Sequence, residues 1–160
     1  MSRKTFLEGQ SVMKIMGFVF SLAAVLAGCS DGEAYSSEEA VKRGDVAVVL
    51  EEVKNADRWA VFLENMSEKK ADNVRITGYT LEGDPIFQDL EFDGKVIAYR
   101  YDNSNDEFAG EGKGVETDVC KTIIETKKAE GKMAFTAAGC SSGIDHDLIQ
   151  IQKDELKEGE

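Results

Sequence analysis

The pair Cys120 and Cys140 constrains what this chain can fold into more than any other feature. Val119 to Lys127 and Lys132 to Cys140 read as the two arms of a hairpin. They turn at Ala129-Glu130-Gly131, with glycine where a three-residue loop takes a left-handed residue. In that register Lys128 closes the loop with Lys132, and counting outward sets Cys120 opposite Cys140. Directly opposed strand residues have Cα atoms about 4.5 to 5.5 Å apart, a separation that a disulfide can bridge. Turn chemistry and cysteine spacing therefore agree on a cross-hairpin staple, worth about 3 kcal/mol on the chain-entropy estimate. The same register sets Lys128 beside Lys132, a like-charge pair that Glu130 or solvent must relieve.

The third cysteine has another use. Leu26-Ala27-Gly28-Cys29 follows Lys14 and the apolar run Ile15 to Val25, which is far short of the roughly 20 residues of a spanning helix. The stretch Met13 to Cys29 resembles the lipoprotein signal peptides cut by the type II signal peptidase. On that resemblance residues 1–28 are a signal peptide and Cys29 carries the lipid; the small, polar residues up to 35 make 29–35 a tether, and residues 153–160 read as a charged, frayed tail. Glu8 sits badly in a region that should be basic, and a translation start at Met13 removes it. Cys29 thereby leaves the thiol count, and Cys120 and Cys140 remain as an even pair in an exported, oxidising setting. Two cysteines lack company for a zinc site, and neither lies in a Cys-x-x-Cys redox motif.

The chain carries a formal charge of −12, and loss of Arg3, Lys4, Lys14 and Glu8 with the signal makes it −14. Such a surface repels nucleic acid, anionic headgroups and polyanionic wall polymers, and it argues against all three as partners.

Within residues 36–152 the elements are those of a single α+β domain. Ser36 to Glu39 reads as a capping box opening a short helix that Gly44 stops. Val46 to Leu50 has the β-branched continuity of a strand. From Asn55, read as its cap, to about Glu68 runs the main helix, with Trp59, Phe62, Leu63 and Met66 as a core-facing stripe. Val74 to Tyr79 alternates as a half-buried strand, and Glu82-Gly83-Asp84-Pro85 turns it into Ile86 to Phe92. Asp93-Gly94 signals a type I′ hairpin that pairs Phe92 with Lys95, Leu90 with Ile97 and Gln88 with Tyr99, and lays Arg100 over the ring of Phe87. A glycine- and acid-rich loop from Asp102 to Asp118, of a length commonly functional or mobile, leads into the cysteine hairpin, and Leu148 to Ile151 adds a last strand. The expected fold is one main helix packed on an antiparallel sheet of five to six strands.

Chemistry is sparse. Asp102, Ser104 and Asp106 begin like a calcium loop, but Glu107 stands where the sharp turn needs glycine and Lys113 where a bidentate Glu should close the shell. His146, between Asp145 and Asp147, is the only histidine and reads as a solvated loop residue. No serine sits in a nucleophile elbow and no phosphate-binding glycine loop occurs, so no catalytic residue, metal or cofactor is assigned.

Ser37-Glu38-Glu39-Ala40, Gly44-Asp45-Val46, Arg75-Ile76-Thr77, Tyr79-Thr80, Glu82-Gly83-Asp84-Pro85-Ile86, Leu90, Tyr101-Asp102-Asn103-Ser104 and Gly139-Cys140 are the words by which Tyr35 to Cys140 resembles a family of small Gram-positive lipoproteins of unknown function. The resemblance implies an extracytoplasmic lipoprotein, held on the outer face of the cell membrane through the Cys29 acyl anchor, and transfers no activity. A non-enzymatic module that binds an envelope protein or a small ligand is the leading expectation. The alternatives are a metal-assisted hydrolase using Asp102, Asp106 and His146, and an inhibitor-like or envelope-stress protein.

Overall fold

The computed structural model describes residues 35–156. The signal segment, Cys29, the tether before residue 35 and residues 157–160 lie outside the described residues. In chain order come α1 (Ser37–Arg43), β1 (Val46–Val49), β2 (Glu52–Lys54), α2 (Ala56–Ser67), β3 (Asp72–Tyr79), β4 (Pro85–Phe92) and β5 (Ile97–Asp102). β6 (Val115–Cys120), β7 (Thr122–Lys127), β8 (Lys132–Ala138) and β9 (His146–Gln152) complete the set. The described chain is mostly sheet.

Two sheets, rather than the expected single one, hold these strands: a six-stranded sheet in the order β2-β1-β3-β4-β5-β6, and a three-stranded sheet β7-β8-β9. The reason lies at Lys121. Val119 and Cys120 pair with Ala98 and Ile97 of β5, whereas Thr122 onward pairs with β8, so the arm read as one strand bends and serves both sheets. Nor is the large sheet wholly antiparallel. α2 carries the chain back so that β3 runs parallel beside β1, as a helical crossover allows.

The core fills the space between the inner face of the large sheet, α2 and the small sheet. Trp59 and Phe62 of α2 are fully buried, and Trp59 meets Phe135 of β8 edge-on at 5.3 Å. Leu63 and Met66 are only partly buried, which narrows the expected stripe to its two aromatic members. Truncating Trp59 to alanine removes the contact of helix with small sheet, a change that costs about 3 to 5 kcal/mol in well-packed cores. Lys153 starts a segment that does not simply fray, since Leu156 packs against the core.

Local signals fare unevenly. Ser36 caps α1 by accepting from the Glu39 amide at 3.3 Å, and Gly44 ends it in the left-handed region at φ 96°. The Glu39 carboxylate turns to Arg43 at 2.7 Å and leaves the box open. Asn55 precedes α2 but does not cap it, because its amide donates instead to the Asp45 carbonyl at 2.9 Å. In the β4–β5 hairpin Phe92 faces Ile97, Leu90 faces Tyr99 and Gln88 faces Tyr101. The Asp93 carboxylate accepts from the amides of Lys95 and Val96, which moves the turn centre to Gly94-Lys95 and slides the pairing by two residues. An even slip keeps every side chain on its expected face. The cysteine hairpin keeps its register throughout: Lys128 closes on Lys132 at 2.8 Å, and Cys120 is bonded to Cys140. Lys132 relieves the like-charge pair by reaching Glu51 at 3.0 Å rather than Glu130.

Candidate functional site

Pairing across β3, β4, β5 and β6 sorts the large sheet into rows of directly opposed residues. Arg75 faces Asp89, Asp89 faces Arg100 and Arg100 faces Thr117. These side chains point away from the core, because alternate residues Val74, Leu90 and Tyr99 point into it. The row is a chain of ion pairs. Arg75 grips Asp89 through Nε and Nη2 at 2.5 and 3.1 Å, while Arg100 spans Asp89 at 3.2 Å and Asp102 at 2.6 Å. The Asp89 hydrogen bond raises the pKa of Arg75, and hydrogen bonds from Ser104 and Arg100 hold Asp102 below the usual carboxylate range.

At one end this outer face is covered. Tyr35 packs edge-on against Phe87 at 5.3 Å and donates to buried Asp45 at 2.7 Å, which also accepts from Thr77. Arg75, and not Arg100, lies over the Phe87 ring, at 4.9 Å, since the slipped register sets Phe87 opposite Asp102. Beyond that lid the face opens into a cleft of about 1070 Å³ whose floor is the Arg75–Asp89–Arg100 row. Arg43 and Arg58 stand on its wall, so every arginine among the described residues lines this one cleft of a strongly acidic protein. Arg58 bonds Asp72 at 2.8 Å and the Asn73 carbonyl, and its Nη1 is buried without a partner among the described residues. Burial works to raise the Asp72 pKa, but hydrogen bonds from Asn65, Arg58 and the Asn73 amide outweigh it and leave the group lowered.

The inner side of the same strands carries a polar knot, two of whose members, Asp118 and Ser141, also border the cleft. Asp118, opposite Tyr99, accepts from the Ser141 hydroxyl at 2.6 Å, the Val119 amide at 2.7 Å and both the amide and hydroxyl of Ser142. His146 Nε2 lies 2.9 Å from its second oxygen, and the imidazole stacks on Tyr99 at 4.4 Å. His146 is thus no solvated loop residue. It opens β9, stacks on Tyr99 and meets the carboxylate of Asp118, which is paired directly opposite that ring. The two serines and the histidine hold Asp118 far below the ordinary carboxylate range. Both serine hydroxyls bond the carboxylate and neither bonds the imidazole, so no nucleophile and base are paired here.

The residues singled out as metal candidates do not converge. Asp102 is tied to Arg100 and the Ser104 amide, Asp106 to the Phe108 amide, and His146 belongs to the knot. The loop that carries Ser104 and Asp106 is shorter than expected, because Asp102 belongs to β5 and Val115 to Asp118 are already in β6. It is also tied at its base, where Asn103 exchanges hydrogen bonds with Gly112 and Gly114. Sequence reading missed Arg75, Asp89 and Asp118. The first two were visible in the alternation of β3 and β4 once the pairing is known; Asp118 carries no local signal.

No curated protein and no solved structure matches the chain. The family described as a domain of unknown function, DUF4362, matches residues 43–134, a shorter span than the resemblance from Tyr35 to Cys140. It takes in the cleft floor and all four of its arginines but stops before Cys140, Ser141, Ser142 and His146. Covering more than half of the sequence, that match identifies the chain as a member of the DUF4362 family.

Proposed function

We propose that this chain is an extracytoplasmic lipoprotein of a Gram-positive cell, tethered to the membrane through Cys29, whose domain binds a partner without transforming it. The observation that carries the binding reading is the convergence of Arg43, Arg58, Arg75 and Arg100 on one open cleft. Arginines scattered for solubility would not share a face, and guanidinium groups offer fixed forks of donors suited to recognition. The cleft alternates cation and carboxylate, so its complement is a segment that alternates them in turn, as an extended stretch of an envelope protein does. The signal-like segment Met13 to Cys29 supports the address.

The test is photo-crosslinking in living cells. A photoreactive residue replacing Thr117 in the cleft should capture one dominant membrane-fraction species, while the same residue replacing Ile124 on the small sheet should not. A Cys29→Ser chain should lose both its membrane attachment and that product. Equal capture from both positions, or none from Thr117, overturns the binding face; a Cys29→Ser chain that stays processed and membrane-bound overturns the anchor.

A further inference from the structure

Four metal-ligating side chains meet at the knot. Asp118 and Cys120 are alternate residues of β6 and share its inner face, Cys140 follows the end of β8 at Ala138, and His146 opens β9 opposite Ala137. One ligand atom from each of the four lies within 4.8 Å of all the others. Asp118, Cys120 and Cys140 are buried, and the His146 side chain is 19% exposed. While the sulfurs are bonded to each other they offer no thiolate, so the group is a staple and a hydrogen-bonded pair.

We propose that, once the Cys120–Cys140 bond is reduced, Asp118, Cys120, Cys140 and His146 bind a zinc ion, so that the staple alternates between a disulfide and a metal. The step balances with a dithiol as reductant. Its two electrons and two protons cleave the sulfur–sulfur bond to two thiols as the dithiol closes to its own disulfide. Zn²⁺ then displaces both thiol protons to solvent and is held by two thiolates, a carboxylate and a neutral imidazole. Two cysteines, a histidine and an oxygen ligand make a tetrahedral set of the zinc type, and thiolates select against calcium and magnesium. Zinc–ligand distances of about 2.0 to 2.3 Å put neighbouring ligand atoms roughly 3.3 to 3.8 Å apart, within reach of the present spread.

Outer contacts suit the task. Ser141, Ser142 and the Val119 amide orient the carboxylate, and Tyr99 fixes the plane of the imidazole, the support that metal ligands usually have. The metal form would join β6, the segment that follows β8, and β9, at the same junction that the disulfide holds. This inference does not depend on the cleft.

The experiment uses the full chain with Cys29→Ser to remove the third thiol, compared oxidised and reduced, the reduced sample being reduced in urea and refolded by dilution. Co²⁺ serves as the probe. Reduced protein should take up one equivalent with thiolate charge-transfer and tetrahedral absorption bands, release it to Zn²⁺, and refold further when metal is present. Oxidised protein should take up none. His146→Gln and Asp118→Asn should each weaken uptake at least about tenfold and alter the bands. If the reduced chain binds no stoichiometric Co²⁺, folded or not, or if both variants match the parent, the site does not exist.

Discussion

Strands β4, β5 and β6 carry two polar networks, one on each face, and these do opposite things with the same kinds of groups. On the outer face the arginines and aspartates of the cleft stay partly in water: the Arg75 side chain is 41% exposed and that of Arg100 39%. On the inner face the Asp118 side chain is 4% exposed and saturated with donors. An exposed ion pair contributes about 0.2 to 1 kcal/mol, since water competes for both partners and salt screens them. A buried carboxylate must be fully bonded or not be there at all. The outer network is therefore free to exchange partners, while the inner one is committed to holding two sheets together. That division sets the binding surface and the scaffold on opposite faces of the same three strands.

The largest test of the comparison is to cut the inner side. Replacing both Cys120 and Cys140 by serine should lower stability by about 2 to 4 kcal/mol in urea unfolding, because the cross-link closes the junction where the chain passes from one sheet to the other. An unchanged midpoint would show that packing and the hydrogen bonds of the knot hold the junction without the cross-link.

Acid provides the next test, with a smaller effect. The pKa of Asp118 in the folded chain lies below its unfolded value of about 3.9, so the unfolded chain takes up the proton first as pH falls. Its contribution is whole above about pH 5 and fades as the pH drops below that. Asp72, Asp93 and Asp102 are lowered too and act with the same sign. Asp118→Asn should destabilise the protein at neutral pH and flatten the acid limb of melting temperature against pH. A variant whose acid limb is as steep as the parent's would assign the acid sensitivity to the other aspartates.

What the sequence reveals follows the same line. The cysteine hairpin was legible residue by residue, since a turn glycine and a covalent partner both report on one register, and the disulfide forms where counting placed it. The β4–β5 register was not, because Asp93-Gly94 suits a two-residue turn as well as the wider one that the Asp93 carboxylate actually caps. Period-two patterning cannot detect an even slip, so the faces came out right and the partners wrong. The split into two sheets was hidden for a different reason: nothing at Lys121 marks a bend, and only the competition of β5 and β8 for one long arm reveals it. The knot was least legible of all. Asp118 and His146 are 28 residues apart and become neighbours only through strand pairing.

The smallest stability effect, and the sharpest for function, belongs to the cleft. Arg100→Gln breaks contacts with Asp89 and Asp102, yet both carboxylates keep other donors: Arg75 for Asp89, the Ser104 amide for Asp102. Neither is left buried and alone, so the loss in unfolding free energy should stay within about 1 kcal/mol. Arg75→Gln should cost slightly more, because it surrenders a two-bonded grip on Asp89 and the cover over Phe87. Both variants should nonetheless lose the product captured from Thr117, which neighbours Arg100 in the same row. Unfolding and crosslinking must then separate: a large loss of stability from Arg100→Gln would make the outer row part of the scaffold, and intact capture in both variants would move the binding face off the arginines.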